Sequence, residues 1–111
     1  MGKFVVTTRK NGDFQFVLKA TNGQVILSSQ GYSTKANCLN GVESVKKNSQ
    51  IEARFEIKEA KDGSPFFNLK SSNGQIIGSS QMYSSERSMK EGIASVMKNA
   101  PEAEVVEELE Q

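Results

Sequence analysis

Asn22-Gly23-Gln24-Val25-Ile26-Leu27-Ser28-Ser29-Gln30-Gly31-Tyr32-Ser33 returns 51 positions later as Asn73-Gly74-Gln75-Ile76-Ile77-Gly78-Ser79-Ser80-Gln81-Met82-Tyr83-Ser84. Extending the same offset in both directions aligns residues 12–48 with 63–99 without a gap, and 18 of the 37 pairs are identical. A second block pairs Gly41, Ser44, Val45, Lys47 and Asn48 with Gly92, Ser95, Val96, Lys98 and Asn99. Self-similarity at one fixed period over this length marks a duplication, so every feature of one copy must be explained together with its mate.

Outward from the quoted stretch, the hydrophobic period changes from two to about 3.6, the signature of strands followed by a helix. Phe4 and Val6 sit two apart, as do Phe55 and Ile57, so each copy opens with a half-buried strand. The turns Asn11-Gly12-Asp13 and Asp62-Gly63-Ser64 reverse the chain into a second strand. That strand carries Phe14, Phe16 and Leu18 on one face in the first copy, and Phe67 and Leu69 after an entry proline, Pro65, in the second. Asn22-Gly23 and Asn73-Gly74 predict a type I′ hairpin turn into a third strand, Gln24–Ser28 or Gln75–Ser79. Each copy thus begins as an antiparallel three-strand meander.

A helix follows the meander, capped by Ser33 or Thr34 and by Ser84 or Ser85. Its apolar stripe is Cys38, Leu39, Val42 and Val45 in the first copy, and Met89, Ile93, Val96 and Met97 in the second. Gly41 and Gly92 interrupt these helices at equivalent positions, where Gly costs about 1 kcal/mol relative to Ala. Paired glycines imply a close approach of the helix backbone to the sheet or to the other helix. Asn48 and Asn99 suit a left-handed helix end, with Lys46, Lys47 and Lys98 against the negative end of the dipole. Ile51–Lys58 reads as extended, and Ala103–Val106, after Pro101, reads as a last short strand. No Gly-, Pro- or Ser-rich linker separates the copies, which implies fusion through the sheet.

The chain has 111 residues and 12.2 kDa, 36% hydrophobic and 24% charged, enough for one core and too little for two. The longest apolar run is three residues, which rules out a membrane-spanning helix, and no apolar leader follows the first residue; the expected location is the cytoplasm. The absence of His and the single Cys38 remove disulfide frameworks, thiolate–imidazole zinc sites and every triad with an imidazole base.

The remaining chemistry is sparse. The carboxylates are scattered over turns, helices and tail, so no metal site and no cofactor are expected. Cys38, replaced by Met89 in the other copy, reads as a small core hydrophobe. No Ser-x-x-Lys or nucleophile elbow is present, and the Asn-Gly pairs match no phosphate-binding loop. Glu52, Glu56 and Glu59 lie along a strand region rather than across a cleft. No catalytic residue is assigned.

Charge is unevenly placed. Residues 1–50 carry seven basic and two acidic side chains, whereas residues 102–111 carry five Glu and no base. Lys3, Arg9, Lys10, Lys19, Lys46 and Lys47 are therefore candidate phosphate contacts for a nucleic acid. No aromatic recognition motif accompanies them, and the Phe residues fall on the face beneath the helices; an ordinary solvated surface with a solubilising tail explains the same bases. Tyr32 and Tyr83, each at the junction between third strand and helix, either plug the end of the core or stand as contact residues.

The duplicated Asn-Gly-Gln-(Val/Ile)-Ile, the Ser-Ser-Gln-x-Tyr-Ser segment and the helix ending Gly-(Val/Ile)-x-Ser-Val-x-Lys-Asn resemble the YegP-like family of small bacterial proteins, over about Lys3 to Val106. The resemblance implies β-β-β-α-β units that build one sheet, with the last strand of each unit exchanged onto the other. The exchanged strands would then lie around Ile51 to Ala53 and at Glu104 to Val106. It implies no activity and no catalytic residues.

The expectation from sequence is accordingly an α+β fold. It is a tandem duplication of a β-β-β-α-β unit sharing one largely antiparallel sheet, with two helices packed on it. The chain forms a single domain, 1–111, of two repeats (about 1–50 and 51–106) with an acidic tail at 102–111. The leading functional expectation is a non-enzymatic, monomeric module that binds an unidentified protein partner, with Tyr32, Tyr83, Lys46 and Lys47 as contact residues. A nucleic-acid binder using the basic first repeat is the second reading. A small-ligand protein or enzyme with a deep polar site between the repeats is the third.

Overall fold

One turn, used four times, folds both meanders. In the computed structural model, which describes residues 2–108, Gly12, Gly23, Gly63 and Gly74 all have φ between 85° and 90°. In each turn the glycine N–H donates to the carbonyl three residues back, as from Gly23 to Ala20 (2.9 Å) and from Gly74 to Ser71 (3.0 Å). The preceding Asn or Asp side chain accepts from the N–H two residues ahead of itself, as Asn22 Oδ1 does from Gln24 (3.0 Å) and Asn73 Oδ1 from Gln75 (3.1 Å). Only the glycine is left-handed, so the expected type I′ turn is instead a type I turn closed by a left-handed glycine, with a bulge at Leu18/Lys19 and at Leu69/Lys70. The Asn side chain serves as an acceptor here, and its tolerance of positive φ is not used.

These turns join β1 (Lys3–Thr8), β2 (Phe14–Lys19) and β3 (Val25–Ser28) in the first repeat. In the second they join β4 (Phe55–Glu59), β5 (Pro65–Lys70) and β6 (Ile76–Ser79). Helix α1 (Lys35–Asn48) and helix α2 (Glu86–Asn99) follow the meanders, and β7 (Glu104–Glu108) ends the described chain. Thr34 caps α1 by accepting from Asn37 N–H (3.1 Å), and Ser85 caps α2 in a reciprocal box with Ser88. Asn48 and Asn99 do not terminate the helices in a left-handed conformation. Both are buried in the last turn and donate Nδ2 to the carbonyls of Ser44 and Ser95 (2.8 Å each).

The seven strands form one sheet in the order β4-β5-β6-β3-β2-β1-β7. Every pairing is antiparallel except that of β7 with β1. The expected fold class is what the chain adopts, with β4 shared: it closes the first β-β-β-α-β unit and opens the second. The exchange after α2 occurs, since β7 leaves it to pair with β1, whereas the strand after α1 is β4, which pairs with β5 as the opening strand of its own repeat. The exchanged strand expected around Ile51 to Ala53 does not form. Ile51 leads into a 3-10 turn, Glu52–Arg54, and the strand starts at Phe55. The acidic tail is therefore a strand from Glu104 to Glu108, and residues 109–111 lie outside the described residues.

Alternation along the strands puts Phe4, Val6, Phe16, Leu18, Leu27, Phe67 and Leu69 on one face, and Cys38, Val42, Val45, Met89 and Val96 of the helices pack with them in a single cluster. At the centre, β3 meets β6 through Ser28 and Ser79. Leu27 fills the space above Gly78, where a Cβ would lie 2.7 Å from its side chain. Replacing Leu27 by Ala should thus destabilise both repeats together, by about 3 kcal/mol. Urea unfolding followed by circular dichroism should give one transition of lower midpoint; two separated transitions would show that the halves melt independently.

Candidate interaction surface

The Ser-Ser-Gln-x-Tyr segment does structural work in both copies. Ser29 Oγ accepts from the N–H of Phe16 (2.9 Å) and donates to the carbonyl of Gln30 (2.8 Å), and Ser80 does the same with Phe67 (3.0 Å) and Gln81 (2.8 Å). The Tyr32 ring then stacks on Phe16 (centroids 6.2 Å apart) and the Tyr83 ring on Phe67 (6.3 Å). Each phenol lies over a helix glycine. A Cβ at Gly41 would stand 2.5 Å from the Tyr32 hydroxyl, and one at Gly92 would stand 2.2 Å from that of Tyr83. The close approach inferred for these glycines is thus to a tyrosine ring and, beside it, to the sheet side chains Phe16 and Phe67, rather than to the other helix. Burial pushes both phenols above the usual tyrosine range, helped at Tyr32 by the neighbouring Cys38. Cys38 itself is buried and its thiol is likewise pushed up, away from reactivity.

Lys46 runs over the Phe4 ring, 6.0 Å from its centroid, and lies 3.8 Å from Glu43, whereas Lys47 is exposed. No contact joins these lysines to Tyr32 or Tyr83 among the described residues, so the four contact candidates form no common site. The basic first repeat is partly offset in cis by the acidic last strand. Lys35 pairs with Glu107 at 2.6 Å, and Glu104 stands beside Lys3 in the ladder. A polar cleft of about 410 Å³ separates Tyr32 and Asn40 of one repeat from Asn73 and Gln75 of the other, but it is open and has no buried charged group.

The asymmetry between the two repeats is sharper. With the 51-residue offset, β1 and β4 are equivalent strands: Phe4 matches Phe55 and Val6 matches Ile57. β7 lies against β1, with Val105 beside Phe4 and Glu107 beside Val6, and both side chains face α1. Among the described residues, no strand pairs with the outer edge of β4. Val6 is fully buried and Ile57 is 53% exposed. In the first repeat β7 forms one wall of a cavity of about 370 Å³ against α1; in the second, with no such strand, a groove of about 390 Å³ lies between β4 and α2, lined by Phe55, Ile57, Ile93, Ala94 and Met97, with Lys90 at its rim. On the opposite face of β4, Glu56 bonds Lys70 (2.8 Å) and approaches Asn68 (3.4 Å), which hold its carboxyl below the usual range.

Sequence reasoning placed Phe55 and Ile57 on a half-buried strand and did not identify this groove. A signal was available: two opening strands face only one closing strand after the last helix, so one outer edge must remain without a cover.

Comparison with known proteins places these features in a family. The model described as domain of unknown function DUF1508 matches the chain twice, over residues 10–56 and 60–107. The chain is 53% identical over 106 residues to a UPF0339 protein encoded in the ptx operon 5′ region of Stutzerimonas stutzeri, covering 96% of each. It is 48% identical to the UPF0339 protein YegP of Yersinia pestis, covering 89% of this chain and 88% of that one. Two solution NMR structures share the fold. A UPF0339 protein of Shewanella oneidensis superposes with a TM-score of 0.92 at 47% identity, covering 97% of this chain and 92% of that one. YegP of Escherichia coli superposes at 0.94 and 44%, covering 99% and 95%.

Two expected outcomes follow from the tyrosine–glycine pairs. In a free helix, Gly→Ala stabilises by about 1 kcal/mol; at Gly41 the sign should reverse. Adding Tyr32→Phe should recover part of the loss in a denaturation double-mutant cycle, because the ring carbon, 2.9 Å from the new methyl, remains. Because the folded phenols titrate above the unfolded value of about 10, their contribution is complete below that pH and is lost as pH rises through the folded value. Chemical denaturation between pH 9 and 11 should therefore fall less steeply in a Tyr32→Phe/Tyr83→Phe chain.

Proposed function

Since the chain belongs to the DUF1508 family of UPF0339 proteins, whose name specifies no activity, we propose from its surface that it is a non-enzymatic protein-interaction module that receives an extended segment of a partner protein along β4. The observation that carries this reading is the contrast between Val6 and Ile57, equivalent residues of which one is buried under a strand and the other stands open. An isolated exposed isoleucine would mean little. Ile57 instead adjoins Phe55, Ile93 and Met97 along an unpaired strand edge, so backbone pairing and side-chain burial are available in one place. That combination is what β-strand addition uses: main-chain hydrogen bonds supply affinity and pockets for alternate side chains supply specificity. The short length of β4 and the charges at Glu56, Lys58 and Glu59 limit indiscriminate pairing, in keeping with a chain that is monomeric on its own.

The site lies on one edge of a scaffold whose other elements are locked by the shared core, so the groove is formed before the partner arrives. Among the described residues the lining is mostly apolar, and its two charged groups, Lys90 and Glu52, suit recognition.

The test is a display library of random peptides panned against the folded chain and against its Ile57→Glu variant, with hydrogen exchange on the selected complexes. Peptides enriched only on the parent chain, protecting the amides of residues 55–59, are expected. Equal enrichment on the variant, protection confined to another surface, or no enrichment at all would overturn the reading.

A further inference from the structure

The seated strand on the first repeat specifies what the open groove of the second would accept. We propose that the β4 groove selects an extended segment running parallel to β4, with an apolar residue beside Phe55 and, two residues on, a lysine or arginine beside Ile57. The proposal rests on the reading of β4 as a docking edge and adds the direction and chemistry of its occupant.

β7 runs parallel to β1, with Val105 in register with Phe4 and Glu107 in register with Val6. Val105, itself partly exposed, lines a cavity of about 370 Å³ with Leu39 and Val42 of α1, and Glu107 reaches Lys35 at the start of the same helix (2.6 Å). Transferred by the 51-residue offset, the Val105 position lies beside Phe55 and faces Lys90 and Ile93. Ile93 keeps the apolar floor supplied by Val42, and the aliphatic stem of Lys90 replaces Leu39.

The Glu107 position moves beside Ile57 and faces Glu86, because Lys35 has become Glu86 in the second copy. Glu86 is exposed, in the first turn of α2. An acidic side chain delivered there would meet a like charge, and a basic one would restore the cross-element pair with its signs exchanged. The reversal also disfavours the chain's own closing strand. A β7 from a second copy would bring Glu107 against Glu86, so the groove disfavours that segment relative to a partner of opposite charge.

Blocked ten-residue peptides carrying Ala103–Glu108, in the native sequence and with Glu107→Lys, provide the test against the intact chain and its Glu86→Lys variant. Amide chemical shifts report the site, and a spin label on the peptide N-terminus reports the direction. The Glu107→Lys peptide should shift the amides of β4 and bind the parent chain roughly two- to fivefold more tightly than the native peptide, as expected for an exposed pair. The preference should invert in the Glu86→Lys chain and shrink with added salt. The label should broaden the Phe55 end of β4.

Equal or stronger binding of the native peptide, or a preference unchanged in Glu86→Lys, overturns the charge selection while leaving β4 docking intact. Broadening at Glu59 overturns the parallel direction. If neither peptide shifts β4, or both act only at β1, the docking reading falls together with this one.

Discussion

A pseudo-twofold axis between β3 and β6 allows three strands on either side of it, and a seventh strand breaks the symmetry wherever it is placed. Here it is placed on β1. That constraint governs the rest of the molecule: the first repeat is extended by β7, with Val105 beside Phe4 and the Lys35–Glu107 pair, while the second ends in an unpaired edge with an exposed Ile57. The duplication supplied two equivalent grooves, but the chain has one strand left to fill them.

The two halves are mutually dependent at the axis. Leu27 of one repeat occupies space that Gly78 of the other leaves free, and neither meander presents a complete apolar face without the helix layer that spans both. A three-strand meander with one helix is small enough that half a core would leave much of its apolar surface wet. Sharing β4 between the units also explains the absent linker: the connection from α1 into the second repeat is a structural strand preceded by one 3-10 turn.

Residues that look suggestive because they recur need a packing explanation before a chemical one. Ser29 and Ser80 close the ladder beside Phe16 and Phe67, and Tyr32 and Tyr83 stack on those rings over Gly41 and Gly92. Duplication preserved these sets intact, which is why they dominated the repeat signal. Positions where the copies differ proved more informative about surface role. Lys35 against Glu86, and Leu39 against Lys90, change the groove while leaving the fold unaltered.

The amino-acid sequence alone determined the repeat, the order of strands and helices and the apolar faces, because these follow from local periodicity, turn chemistry and caps acting over a few residues. It also indicated that α-helix and sheet share one core, since neither copy is long enough to stand alone. It could not distinguish a type I′ turn from a type I turn with a left-handed glycine, since both accept Asn-Gly and the choice depends on how the flanking strands register. It could not place β7 parallel on β1 or leave β4 bare. Strand partnership across a hundred residues carries no local signature; it is decided by which edge the whole fold brings within reach once the core has closed.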